Sequence, residues 1–138
     1  MKDLELLKEP FLSKVKLFLA ELDRVGFKYA ISETLRTPAV QAAYFAQGRK
    51  PLDEVNKLRV AAGLWKITEA ENKNKITWTL KSKHLEGLAI DLVPTKDGKL
   101  WWNAPDSLWK QMSDISDKFD IESGYTWKTK DSPHFEDL

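Results

Sequence analysis

The sequence contains no cysteine and only two histidines among its 138 residues. Without cysteine the chain has no disulfides, no thiolate nucleophile and no cysteine-ligated zinc site. Any metal ligands must therefore come from His, Asp and Glu side chains. The absence of cysteine also fits a reducing cytoplasm, although it does not exclude an extracellular protein.

The sequence also lacks an excess of either charge and lacks a long apolar run. Lys and Arg total 22 and Asp and Glu total 21, which gives a formal net charge of +1. This balance provides no electrostatic footprint for nucleic acid or for an anionic membrane surface. No stretch approaches the roughly 20 apolar residues of a membrane-spanning helix. We therefore expect no nucleic-acid partner and no membrane insertion.

The N-terminal segment "MKDLELLKEPF" lacks the features of a secretory signal. Acidic residues interrupt its short apolar part, and no small-residue cleavage site follows. From this segment we expect a protein that is made in the cytoplasm.

Composition and periodicity predict one folded α+β domain over residues 1–138. The apolar fraction of 42%, with six tryptophans and six phenylalanines, excludes a disordered chain. Apolar spacing and the Pro and Gly positions predict helices over 10–26, 37–48, 51–63 and 105–119. Strands are predicted over 27–36, 76–80 and 87–94, with two short strands within 121–138. This mixed order favours a small antiparallel sheet flanked by helices.

His84 stands in the segment "SKHLEGLAID", just before the predicted strand over 87–94. Alternation along that strand places Asp91 on the same face as Ala89. A carboxylate on an apolar strand needs a cation, hydrogen bonds or a metal, because burying it unpaired is costly. Gly87 allows a turn tight enough for His84 to fold back towards Asp91, and the small Ala89 leaves room beside them.

His134, in "KDSPHFEDL", is the other imidazole of the chain. Two histidines and one carboxylate leave a fourth zinc position open, as catalytic zinc sites do. Asp131 precedes His134 by three residues and is placed to take a proton from a water at such a site. These residues predict His84, Asp91 and His134 as ligands and Asp131 as base. On the pattern alone, a packed histidine and a turn-capping aspartate explain the same spacing equally well.

Three motifs resemble those of the zinc peptidases that cleave bacterial cell-wall peptides. That family includes D-Ala-D-Ala carboxypeptidases and dipeptidases and the L-alanyl-D-glutamate endopeptidases of phage endolysins, and its fold is shared with the hedgehog signalling domain. The S-x-H-x-x-G-x-A-x-D signature is matched by Ser82, His84, Gly87, Ala89 and Asp91. A second motif is matched by Asp131, His134, Phe135 and Glu136, and an upstream one by Ser32, Arg36, Thr37 and Gln41. The motifs follow the family's order and span residues 32–136.

The resemblance implies a hedgehog/D,D-peptidase-like fold and one zinc ion held by His84, Asp91 and His134. It implies Asp131 as general base, and Arg36 as the group that binds substrate or stabilises the oxyanion.

The resemblance also suggests substrate contacts for three further side chains: Ser82, Gln41 and Trp127. For the first two, a strand-edge hydroxyl and a helix-surface amide are equally good explanations. Tryptophan is in general more often a core residue than a binding residue.

The implied activity is hydrolysis of peptidoglycan stem peptides by a monomeric enzyme that reaches the wall after release by a holin-type or other lytic route. Many relatives have Glu at the position of Asp131, whereas endolysin-type peptidases have Asp there, as this chain does. This difference favours the L-Ala–D-Glu bond. One alternative is a D,D-carboxypeptidase or dipeptidase acting on D-Ala-D-Ala termini. Another is a zinc-containing wall-binding module without catalysis. No role is assigned to residues 47–80.

Overall fold

The computed structural model describes residues 1–77 and 79–138, and these form two compact units. Residues 1–35 and 86–138 form one unit, which we call the sheet unit. Residues 36–85 form the other, which we call the helical unit. Within the described residues, none of the helices has both the length and the apolar character needed to cross a membrane.

The first helix of the sheet unit, α1, runs over Phe11–Arg24. Its apolar positions recur every three or four residues, so that Phe11, Val15, Phe18 and Leu22 all face inward and are fully buried. The chain leaves the helix through Gly26, which has a positive φ of 76°. The predicted start near Pro10 and the predicted stop at Gly26 are both confirmed.

The sheet unit contains five antiparallel strands and a second helix. The strands are β1 (Tyr29–Glu33), β2 (Ala89–Lys96), β3 (Lys99–Leu100), β4 (Ile121–Ser123) and β5 (His134–Asp137). The helix between β3 and β4 in sequence is α4 (Asp106–Asp117). The main strand order is β1-β2-β5-β4, and β3 pairs with β2. The predicted α+β class, a small antiparallel sheet with helices, is confirmed.

One face of this sheet packs on the helices and forms the core of the unit. Ile90 and Leu92 of β2 and Phe135 of β5 are fully buried there. The ring of Phe135 lies 5.2 Å from that of Phe18 in α1, measured between centroids. Since side chains alternate along a strand, a core-facing Phe135 turns both its neighbours, His134 and Glu136, to the opposite face of the sheet.

The described part of the helical unit contains the α-helices α2 (Pro38–Ala46) and α3 (Leu52–Ala61). Thr37 caps α2, because its side chain accepts a hydrogen bond from the Val40 N–H, and Pro38 occupies the first turn. Ala46, Val55 and Ile67 form a small core of its own. Both helices occur where the sequence predicts them.

Two predicted strands differ from the structure. β1 ends at Glu33 after a register shift opposite β2, so Arg36 lies outside it. β2 continues beyond Pro94 to Lys96, because Pro94 still contributes its carbonyl, which accepts from the Trp101 N–H at 2.8 Å.

The strand predicted over 76–80 includes Trp78, which lies outside the described residues. Its described neighbours at 76, 77, 79 and 80 are not in a strand. The segment "KDGK" forms the turn between β2 and β3, where Asp97 and Gly98 have φ values of 53° and 75°.

Candidate metal centre and active site

The pairing of β2 with β5 brings Asp91 directly opposite His134. The neighbouring pair, Ile90 with Phe135, is buried in the core and fixes this register. Asp91 Oδ1 lies 3.4 Å from His134 Nδ1. Two residues far apart in sequence thus form a carboxylate–imidazole pair on the non-core face of the sheet.

Glu136 contacts the other nitrogen of the same imidazole. Its Oε1 lies 2.8 Å from His134 Nε2, and the two side chains are 14% and 7% exposed. Residues two apart on a strand share a face, so this contact follows from the local geometry of β5. The sequence motif includes Glu136, but motif matching alone assigns it no role.

His84 lies in a 3-10 turn over Lys83–Glu86 and is 1% exposed. Its backbone N–H donates to Ser82 Oγ at 3.2 Å, and its carbonyl accepts from the Arg36 N–H at 3.0 Å. Ser82 therefore holds the turn that orients His84, and a direct contact of Ser82 with substrate stays a prediction.

Gly87 makes the turn between the 3-10 segment and β2. Its φ of 71° is unfavourable for other residues, and a Cβ atom there would lie 2.9 Å from the Leu6 carbonyl oxygen. The requirement for glycine that the sequence suggests is therefore both conformational and steric.

One ligand atom from each of His84, Asp91 and His134 lies within 4.8 Å of the other two. Two imidazoles and a carboxylate are the donor set of many catalytic zinc sites, which keep a further position for water or substrate. The donor set therefore fits a zinc ion.

The exposed Asp131 is held by its backbone beside β4 and β5. Its N–H donates to the Gly124 carbonyl at 2.9 Å, and its own carbonyl accepts from the His134 N–H at 3.0 Å. A Cβ atom on Gly124 would lie 2.2 Å from the Asp131 carbonyl oxygen. Gly124 thus permits a close approach of two backbone segments, and nothing in the local sequence pattern indicates it.

We expect Gly124→Ala to lower turnover at least tenfold while zinc affinity falls much less. The added methyl group overlaps backbone atoms, so the segment that carries Asp131 must shift, and overpacking of this kind costs about 1–3 kcal/mol of stability. Steady-state kinetics and zinc titration of the same preparations measure the two effects.

Gly26→Ala is the matched control, because a Cβ atom at Gly26 has nothing within 4 Å but meets a positive φ of 76°. This variant should lose stability and keep its turnover per folded molecule. Wild-type turnover in Gly124→Ala would contradict the inferred steric role of Gly124.

Trp127 packs against the imidazole of His134. The ring centroids lie 5.1 Å apart with an interplanar angle of 46°. The half-buried indole therefore packs against the imidazole in a tilted arrangement, and its predicted contact with substrate stays a prediction.

In the helical unit, Arg36 is part of a buried polar network. Its Nη1 donates to Gln41 Oε1 at 2.7 Å, and its guanidinium lies 4.9 Å from the ring centroid of Tyr44. Gln41 is 1% exposed and its Nε2 donates to the Thr79 carbonyl at 2.6 Å and to Thr77 Oγ1 at 3.3 Å. Gln41 is therefore not the helix-surface amide that the sequence alone allowed.

The surroundings of His134 change its pKa. Burial lowers the pKa of the imidazole, but hydrogen bonds to Asp91 and Glu136 and the negative charges of Asp91 and Asp131 outweigh burial and raise the pKa to about 9. In the metal-free protein, this imidazole is cationic at neutral pH.

We expect the metal-free protein to lose stability as the pH rises from about 6.5 to about 9. A group whose pKa is raised by folding stabilises fully below its unfolded value of about 6.5, and this contribution is lost as the pH passes the folded value. The loss is at most about 3 kcal/mol, at 1.36 kcal/mol per pKa unit. Urea unfolding at several pH values measures it.

The same urea unfolding series, measured with zinc bound, serves as the comparison. An imidazole that binds the metal cannot carry a proton on both ring nitrogens. A metal-free protein with constant stability across this range would contradict the assigned pKa of His134.

Comparison with known proteins gives one family match and several structural matches. Residues 75–137 match the model of a family described as D-alanyl-D-alanine carboxypeptidase. No curated protein matches the sequence. The L-Ala D-Glu endopeptidase ChiX of Serratia marcescens superposes with a TM-score of 0.62 at 23% identity, covering 98% of this chain and 83% of that one.

Two further crystal structures share the fold. The D,D-pentapeptidase VanY of a VanB-type resistance cassette, in complex with Zn(II), gives a TM-score of 0.58 at 13% identity and covers 94% of this chain and 71% of its own. DacB of Streptococcus pneumoniae D39 gives 0.57 at 16% identity, with coverages of 96% and 66%. At these identities the structural likeness establishes a common fold.

The chain thus shares its fold with solved peptidases, and its His–Asp–His group could hold a metal ion. The family match and the shared fold confirm the resemblance to the zinc peptidase family of D-Ala-D-Ala carboxypeptidases and L-alanyl-D-glutamate endopeptidases.

Proposed function

We propose that this protein is a zinc-dependent peptidase that hydrolyses peptidoglycan stem peptides at the L-Ala–D-Glu bond. The observation that carries the proposal is the group formed by His84, Asp91 and His134, with ligand atoms within 4.8 Å of one another. The match of residues 75–137 to a wall-peptidase family model supports the substrate class.

His84, Asp91 and His134 would hold one zinc ion. Bound there, the ion supplies a Lewis acid that polarises the scissile carbonyl and acidifies the attacking water. The paired strands β2 and β5 hold Asp91 and His134 rigidly, while the Ser82 hydroxyl fixes the turn that carries His84. Such preorganisation keeps the donor atoms close without reordering the chain.

Asp131 is the proposed general base. Its carboxylate takes a proton from the attacking water and then delivers this proton to the leaving amine. The side chain is exposed, whereas its backbone is tied to Gly124 and to His134. An accessible carboxylate on a fixed backbone suits repeated proton transfer to a substrate that enters from solvent.

Arg36 supplies a fixed positive charge for the substrate or for the developing oxyanion. Such a charge is worth a few kcal/mol in a site from which water is excluded. The hydrogen bond from Arg36 to the buried Gln41 restrains the guanidinium. We assign Gln41 to positioning Arg36, and Trp127 and Ser82 remain candidates for direct substrate contact.

Digestion of purified sacculi followed by mass spectrometry of the products tests the proposal. Cleavage of L-Ala–D-Glu releases peptides that begin with D-Glu and leaves glycan strands whose stem peptides end at L-Ala. Release of terminal D-Ala alone would exclude this bond and assign the enzyme to the D,D-carboxypeptidases or dipeptidases. The description of the matched family model favours that second candidate.

The departure that favours the L-Ala–D-Glu bond is Asp131, which stands where many members of the resembled family have Glu. The likeness to ChiX, whose structure is described as an L-Ala D-Glu endopeptidase, agrees with this choice. A protein that binds zinc and sacculi but releases no new amino groups would instead be a non-catalytic wall-binding module. The monomeric state and the release route to the wall stay predictions.

A further inference from the structure

We infer that Glu136 positions the metal ligand His134 by accepting a hydrogen bond from its Nε2–H, which leaves Nδ1 to face the ion. This inference rests on the proposed zinc site and adds a residue to it. The inference concerns the glutamate of an H-x-E pattern on a strand. In this role Glu136 neither binds the ion nor touches the scissile bond.

The two nitrogens of His134 have different neighbours. Nδ1 lies 3.4 Å from Asp91 Oδ1, and Asp91 belongs to the same donor group. Nε2 lies 2.8 Å from Glu136 Oε1, which is ordinary hydrogen-bond distance. Nδ1 therefore points towards the other donors, and Nε2 points to a carboxylate outside that group.

A neutral imidazole carries one proton, on the nitrogen that does not bind the metal. A carboxylate acceptor beside Nε2 favours the proton at that position, because a hydrogen bond to an ionised acceptor is about twice as strong as one between neutral groups. The lone pair of Nδ1 is then available to the ion, and the hydrogen bond makes this nitrogen more basic. Glu136 thus selects both the tautomer and the orientation of the ring.

The strand context makes this arrangement rigid. Phe135, between the two residues, is fully buried and packs against Phe18, so β5 cannot rotate about its axis without exposing the core. The side chains of His134 and Glu136 are 7% and 14% exposed. Little water is available to replace the hydrogen bond, and the low local dielectric strengthens it.

Zinc affinity of Glu136 variants, measured by competition with a chromogenic chelator, tests the inference. Glu136→Ala removes the acceptor and should weaken zinc binding about 10–100-fold. Glu136→Gln keeps an oxygen at the same place without the charge, and its loss of zinc affinity should be smaller. Thermal unfolding of the metal-free variants shows that each is folded before it is titrated.

Glu122→Gln and Glu122→Ala are the matched controls. Glu122 lies on β4 directly opposite Glu136, so these variants remove the same charge from the adjacent position of the same sheet. Both controls should bind zinc within about twofold of wild type. If the variants at Glu122 and Glu136 lost zinc affinity equally, the effect would be explained by the removal of negative charge alone. That result would overturn the positioning role of Glu136.

Nitrogen-15 NMR of the imidazole in the zinc-loaded wild-type protein provides an independent readout. We expect the proton of His134 on Nε2 and the metal shift on Nδ1, and the reverse assignment would overturn the inference. The two levels of the proposal fail separately. If the wild type binds no zinc, the proposed function fails, whereas wild-type zinc affinity in Glu136→Ala removes only the role of Glu136.

Discussion

Asp131→Asn is expected to reduce turnover on sacculi by about 10²–10⁴-fold, the usual contribution of a positioned general base. Asparagine has nearly the same shape as aspartate but cannot accept the proton of the attacking water at neutral pH. The backbone bonds of residue 131 to Gly124 and His134 do not involve the side chain and should persist. Zinc affinity should therefore fall much less than turnover, since Asp131 is outside the proposed ligand set and acts on His134 through its charge.

Kinetics with soluble muropeptides and zinc competition on the same samples separate these two quantities. Asp114→Asn is the control, because Asp114 is an exposed carboxylate of the same unit, 63% exposed on α4 and paired with the surface residue Lys110. This control should retain wild-type turnover. Turnover of Asp131→Asn at the wild-type rate would remove Asp131 from the mechanism.

Removal of the metal with a strong chelator should abolish activity completely, and stoichiometric zinc should restore it. The fold should survive this treatment, because the core of the sheet unit is built from Phe11, Phe18, Phe135 and their neighbours and does not depend on the ligands. Rebinding of zinc should raise the melting temperature, since a ligand at 1,000 times its Kd adds about 4 kcal/mol to the stability of the folded state.

Metal analysis, circular dichroism and the sacculus assay on one preparation measure these effects together. His84→Ala provides a second route to the same state, because it removes one donor of the group. Full activity in a preparation shown to be metal-free would overturn the zinc-dependent mechanism. Intact zinc binding without release of amino groups would point to a wall-binding module.

The sequence determined the elements whose signals are local. Helix α1 begins after Pro10 and ends before Gly26, as its apolar spacing predicts, and Thr37 with Pro38 starts α2. These signals are readable because a helix face, a cap and a turn each depend on residues within a few positions. The candidate metal ligands could also be chosen from the sequence, because a chain with two histidines and no cysteine offers few ways to bind zinc.

Only the tertiary structure decided how those donors are oriented and held. The opposition of Asp91 and His134 depends on the register of β2 with β5, and the contact of Gly124 with Asp131 depends on the approach of two separate backbone segments. The burial of Gln41 likewise depends on Thr77 and Thr79, which accept hydrogen bonds from its amide. The sequence pattern shows which face of its own helix or strand a side chain occupies. The strand register, the close approach of two backbone segments and the choice between the two imidazole nitrogens are instead set by residues distant in sequence.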